Sequence, residues 1–131
     1  MTLLLDTCSF LWWTTGKEGR GGISRRALEL IRDDTNRVFL STASCWEIAL
    51  KHAIGKLPIR GPVESVVPKW IARYAVEPLP ILVTHALGTA SLPFHHGDPF
   101  DRMLIAQAQI ENLTVVTPDP IFRRYHVETF W

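Results

Sequence analysis

The sequence predicts an α/β fold built on a mostly parallel sheet, and three observations carry that expectation. Short apolar runs recur at Leu3-Leu4-Leu5, Val38-Phe39-Leu40 and Val115-Val116, as in strands buried on both faces. Helix-period patterns lie between them, and strands that alternate with helices argue for βαβ units. The chain has 131 residues, of which 47% are hydrophobic and 21% charged, so one domain spanning residues 1–131 around one core is expected, not a disordered segment.

Taken in order, the first strand begins almost at Met1 and stops at Asp6. Gly16, Gly19, Gly21 and Gly22 mark a loop. A helix is expected from Ile23 to Ile31, where Ala27, Leu28 and Leu30 supply apolar positions, and another from Ala43 to Ile54. After a loop from Gly55 to Pro62, the pattern from Val63 to Ala75 is helical, with Pro68 expected to break or restart it. Val76 to Leu82, split by Pro78 and Pro80, reads as an edge strand or an extended connector. The Leu92 to Pro99 loop then feeds a helix from Phe100 to Ile110. No internal repeat or low-complexity segment interrupts this order.

Composition narrows the function less than the fold. A formal net charge of +1 means that any nucleic-acid contact must be a local patch. Cys8 and Cys45 sit in no metal-binding or disulfide spacing and are expected as small reduced core residues. An aspartate interrupts the first apolar run, no basic segment precedes it, and no run approaches the roughly 18 residues of a membrane span. A cytoplasmic protein is expected.

The chemistry lies in misplaced acids. Asp6 follows the first strand and Asp119 follows Val116 within three residues, at the carboxyl edge where open α/β sheets bind ligands. Each also reads as a helix cap or turn former. Glu47 has Ala43, Leu50 and Ile54 at i−4, i+3 and i+7, which places it in or beside an apolar stripe. An i,i+4 pair with Lys51 contributes only a few tenths of a kcal/mol. Desolvating a carboxylate costs several kcal/mol, so that pair alone does not offset burial. Asp98 precedes Pro99 as an N-cap, and Asp101 lies one turn inside the same helix beside Leu104, Ile105 and Ala108. The helix dipole offers Asp101 a competing role, contributing up to about 1 kcal/mol.

Carboxylates from two strand ends and two helices can share a pocket only if a cation offsets their repulsion, and hard oxygen donors select Mg²⁺ or Mn²⁺. Such a site suits phosphodiester hydrolysis, because the ion activates water and stabilises charge on phosphate. The chain lacks a G-x-S-x-G elbow, a Walker A loop and a G-x-G-x-x-G fingerprint.

Four blocks together resemble a known family. They are Leu3-Leu4-Leu5-Asp6-Thr7; Ser41-x-x-Ser44-x-Trp46-Glu47-Ile48 with Lys51 and Gly55-Lys56-Leu57; His95 through Ala108; and Thr117-Pro118-Asp119. In order and spacing they are similar to the PIN domain of VapC toxins from type II toxin-antitoxin systems. The resemblance implies a three-layer α/β/α sandwich and an endoribonuclease dependent on Mg²⁺ or Mn²⁺. It also implies a homodimer neutralised by a VapB-like antitoxin. By the same resemblance Asp6, Glu47 and Asp101 are metal ligands and Asp119 a fourth, weaker or water-mediated one. Whether Asp98 only caps its helix or also faces the metal stays open.

Other residues carry lesser expectations. Trp12 and Trp13 offer an apolar surface for an antitoxin helix or core packing, and Trp46 is expected in the core. His95 and His96 are candidates for RNA contact; a zinc site lacks companion ligands. Arg25, Arg26, Arg102, Arg123 and Arg124 are candidates for the RNA backbone, Arg123 and Arg124 foremost because they lie near Asp119. Two rival readings are a phospho-receiver signalling module and a catalytically inactive PIN scaffold. The first needs an acceptor aspartate ending a central strand, where this chain has Ser41, and the second is opposed by the presence of all four acids.

Overall fold

The computed structural model describes residues 1–131. Its centre is β1 (Thr2–Leu5), which pairs in parallel with β2 (Arg37–Ser41) on one side and β4 (Thr114–Val116) on the other. The edges are β3 (Glu77–Leu79) beside β2 and β5 (Thr129–Phe130) beside β4, which gives an all-parallel sheet of order β3-β2-β1-β4-β5. The chain builds outward from β1 through β2 to β3 and then crosses to the opposite side for β4. That reversal puts the switch point between β1 and β4, at whose carboxyl ends ligands gather in open sheets.

Helices cover both faces, as the parallel connections require. Leu3, Leu5 and Val116 pack with Phe10 of α1 (Thr7–Thr15), with Ala27, Leu28 and Ile31 of α2 (Arg25–Arg32), and with Val67 of α4 (Val63–Arg73). On the opposite face Leu4 and Val115 pack with Leu104, Ile105 and Ala108 of α6 (Pro99–Glu111). The strict alternation along Leu3-Leu4-Leu5 explains why that run is apolar throughout: each face of the pleat meets its own helical layer. Two further helices complete the set, α3 (Thr42–Ala53) and the short α5 (Val83–Gly88).

Several local outcomes differ from the sequence reading. α1 follows Asp6 directly, a helix that the sequence reading did not place, and it ends at Gly16, whose φ of 74° supplies the left-handed cap. α4 runs through Pro68 without a break. Pro68 and Glu64, whose carbonyl loses its donor, both lie on the exposed side of the helix. Pro78 lies in the edge strand β3, where an unpaired side tolerates it. Both cysteines are free; Cys8 is exposed and so is not a core residue, whereas Cys45 is half-buried and packs against the core. Trp46 is 62% exposed, because α3 buries Ala43, Ser44, Glu47 and Ile48 and turns its other side outward.

Candidate active site at the carboxyl edge of the sheet

Asp6 occupies the switch point with only 6% of its surface exposed. It caps α1, accepting from the Ser9 backbone N–H at 2.8 Å through Oδ1. Its other oxygen accepts from Thr117 Oγ1 at 2.6 Å, a bond that spans the crevice between the ends of β1 and β4. Thr117 Oγ1 also accepts the Asp119 N–H at 3.0 Å, so one hydroxyl ties the two strand-end acids to each other. Asp119 in turn caps the 3₁₀ turn Pro120–Tyr125 through the Ile121 N–H at 3.0 Å. Capping and site-forming roles therefore coexist at both strand ends.

Glu47 is likewise 6% exposed. The expected apolar stripe is only partly right: Leu50 and Ile54 are 43% and 57% exposed, and Glu47 is buried instead beside Ser44 and Thr7. Thr7 Oγ1 donates to Glu47 Oε1 at 2.6 Å and lies 3.0 Å from Ser44 Oγ. Lys51 Nζ donates to Glu47 Oε2, so the i,i+4 pair is present as well. A charged hydrogen bond and a hydroxyl together compensate burial better than the pair alone.

Asp98 caps α6, accepting from the Phe100 and Asp101 N–H groups at 2.9 and 3.1 Å. Asp101 faces His96, whose Nε2 donates to Oδ2 at 3.2 Å. The other ring nitrogen, Nδ1, lies 2.7 Å from the Tyr125 phenol oxygen. Arg102 Nη1 donates to the same phenol at 3.2 Å and its guanidinium also reaches the Pro93, Thr89 and Leu92 carbonyls. Arg102 is therefore a buried clamp on the 89–93 segment and is withdrawn as an RNA-backbone contact. Arg25 is paired with Glu29 and Arg26 lies over Phe130, whereas Arg123 and Arg124 are exposed on the turn that follows Asp119.

The charges feel one another. Burial pushes the Asp6 carboxyl above its ordinary range, opposed by its hydrogen bonds and reinforced by Asp119. Asp101 is pushed up to about 6, first by burial and then by the charge of Asp98, with Glu47 adding and His96 opposing. Cys8 reaches the surface from among these groups, and crowding by protein followed by the Asp6 and Glu47 charges pushes its thiol up to about 11. Carboxylates with raised pKa gathered at one edge make a place where a cation is favoured.

No three His, Cys, Asp or Glu side chains stand close enough together here to cage a metal ion. Each acid is held by a protein partner instead: Asp6 by Ser9 and Thr117, Glu47 by Lys51 and Thr7, Asp101 by His96. The donor set fits a hard divalent ion in kind, being all carboxylate, with Lys51 as the internal countercharge. Thr7, Ser44 and Thr117 entered the sequence reading only as members of the motif blocks, with no role of their own, and Tyr125 not at all. Their hydroxyls carry no signal of function until contacts 29 to 111 residues apart in sequence are known.

Trp12 and Trp13 are half-buried against Trp131 and Tyr74, with ring centroids 5.8 and 4.8 Å apart. Trp12 also borders a groove of ≈ 630 Å³ with Leu11, Leu57, Ile59, Val66 and Trp70. No helix is long and apolar enough to cross a membrane.

Comparison with known proteins agrees with this architecture. Ribonuclease VapC16 of Mycobacterium tuberculosis (strain ATCC 25618 / H37Rv) is 39% identical over 56 residues, a stretch spanning 43% of this chain and 40% of that protein. Among solved structures, DNA-bound VapBC from Salmonella typhimurium superposes with a TM-score of 0.74 at 20% identity, covering 99% of this chain and 97% of that one. VapBC2 from Rickettsia felis, bound to a DNA fragment from its promoter, gives 0.72 at 17% identity, covering 100% and 99%. At those identities the likeness concerns the fold. The PIN domain family pattern matches residues 3–128, from within β1 to the residue before β5, and the chain belongs to the PIN domain family.

Proposed function

We propose that this chain is a divalent-metal-dependent endoribonuclease and the toxin of a type II toxin-antitoxin pair. What supports the reading is that acids from separate segments feel one another at the switch-point edge: after burial, the Asp119 charge raises the Asp6 carboxyl, and those of Asp98 and Glu47 raise Asp101. Asp6, Glu47 and Asp101 are the residues to hold Mg²⁺ or Mn²⁺, with Asp119 at the rim and Asp98 chiefly a cap. The bound ion supplies an activated water and charge stabilisation at the scissile phosphate. The protein's share is positioning: Thr117 orients Asp6, Thr7 orients Glu47, and His96 orients Asp101. Lys51 neutralises Glu47 and must yield it for a full ligand set. Exposed Arg123 and Arg124 are placed to meet the RNA backbone.

A VapB-like antitoxin partner is supported by the neighbours, which are toxin-antitoxin complexes. For the homodimer, Val83 and Leu87 of α5, with Leu82 just before it, offer exposed apolar side chains at 75%, 70% and 49% exposure. The whole chain serves as one domain. The deciding experiment incubates purified protein with RNA in Mg²⁺, Mn²⁺ or EDTA, beside Asp6→Asn and Asp101→Asn. Metal-dependent cleavage by the unmodified protein and none by either folded variant is expected. Undiminished cleavage by both variants refutes the assignment.

A further inference from the structure

Beside the acids lies a cleft of ≈ 360 Å³ that the reading above leaves unused, lined by Trp46, Phe94, Pro99, Phe100, Arg102 and Met103. Its aromatic walls are open to solvent: Trp46 is 62% exposed and Phe94 84%. Phe100 meets Trp46 edge-on, with ring centroids 5.2 Å apart, which fixes the Trp46 plane. Trp46 immediately precedes Glu47 on α3, and Phe100 immediately precedes Asp101 on α6, so both helices that bring an acid also bring an aromatic ring.

The electrostatics of the cleft differ from those of the acids. No carboxylate lines it, and its one charge is the Arg102 guanidinium, 4.1 Å from the centre of the Phe94 ring. Carbonyls and the Tyr125 phenol hold the two terminal nitrogens of Arg102, while its Nε–H has no protein acceptor. Flat apolar faces with one spare donor match a nucleobase, which offers a π face and an acceptor edge. A phosphodiester chain can approach this wall without repulsion.

Resting on the ribonuclease reading, we propose that this cleft is a nucleobase subsite. It takes one unpaired base flanking the scissile phosphate, stacked on Trp46 and Phe94. Bases in a helical stack cannot present a face to it.

The test compares the unmodified protein with Phe94→Ala and Trp46→Ala on a short single-stranded oligoribonucleotide and on copies with one abasic residue scanned along it. Phe94 is so exposed that its removal leaves the fold intact, and Phe94→Tyr and Trp46→Phe retain a stacking ring. We expect KM to rise about tenfold or more in both alanine variants, with a smaller effect on kcat and rescue by the aromatic replacements. One abasic position should cost the unmodified protein the same factor and cost the alanine variants nothing further. Cleavage by the unmodified protein that ignores both the abasic scan and the alanine variants overturns the subsite alone. Equal losses on every substrate together with dissociation to monomers in sedimentation mark a protein contact and also overturn it. Absence of any metal-dependent cleavage by the unmodified protein overturns the ribonuclease reading and the subsite with it.

Discussion

Replacing Asp101 by asparagine should make the protein more stable at neutral pH while abolishing its activity. The carboxyl is raised from 3.8 to about 6, chiefly by burial and then by Asp98. A rise of that size corresponds to about 3 kcal/mol of destabilisation once the group is ionised. Its side chain is 22% exposed, so little of this is lost to solvent screening. The ionised form also gains from the α6 dipole, by up to about 1 kcal/mol, and the amide forgoes that gain. The net expectation is about 2 kcal/mol in favour of Asp101→Asn, or about 7 °C in Tm for a chain of this length. Because the folded pKa lies above the unfolded one, the folded state binds more protons between pH 3.8 and about 6, and stability falls as pH rises through that window. The advantage of the variant should therefore be full above pH 7 and largely gone at pH 4. Thermal unfolding followed by circular dichroism in EDTA at both values measures it. A variant less stable than the unmodified protein at pH 7.5, or one with the same difference at both values, refutes the reasoning.

Two further outcomes follow from the neighbouring groups. Lys51→Met leaves buried Glu47 with Thr7 as its only partner, which should destabilise the protein by about 2 kcal/mol, less than for a fully buried pair because Lys51 is 45% exposed. Added Mg²⁺ should raise the Tm of this variant more than that of the unmodified protein, and an unchanged Tm in metal-free buffer would show that the pair does not support Glu47. Cys8, pushed from 9.0 to about 11, should react with iodoacetamide at pH 8 about a hundredfold more slowly than Cys8 in the urea-unfolded chain despite its exposure. Site-resolved mass spectrometry gives the rate, and equal rates in the two states would contradict the crowding and negative potential described around it.

The acids were legible because they broke a pattern. Glu47 and Asp101 stood among apolar neighbours, and both prove buried or half-buried, although Leu50 and Ile54, used to place Glu47, point outward. The strands β1, β2 and β4 were readable as continuous apolar runs because each lies between two helical layers. By contrast, α1 carries Phe10, Leu11, Trp12 and Trp13 consecutively, so no stripe distinguished it from a loop. β5 has two residues and α5 six, too few for any period to show. Trp46 looked like core by its chemistry, but only the rotation of α3 about its axis decides which side faces the sheet. Thr117 and Thr7 stood in the motif blocks without a role of their own: a threonine fits anywhere, and its meaning here lies in which carboxylate it reaches.

The position of β1 in the middle of the sheet has a consequence for biosynthesis. Its second flank stays bare until Thr114–Val116 has emerged from the ribosome, and the Thr117 hydroxyl that aligns Asp6 follows directly after that strand. A growing polypeptide halted short of that stretch would hold three of the four acids yet lack the scaffold that orients the first. Asp6 should therefore be aligned only once a residue 111 positions further along the chain has been made and has folded back beside it.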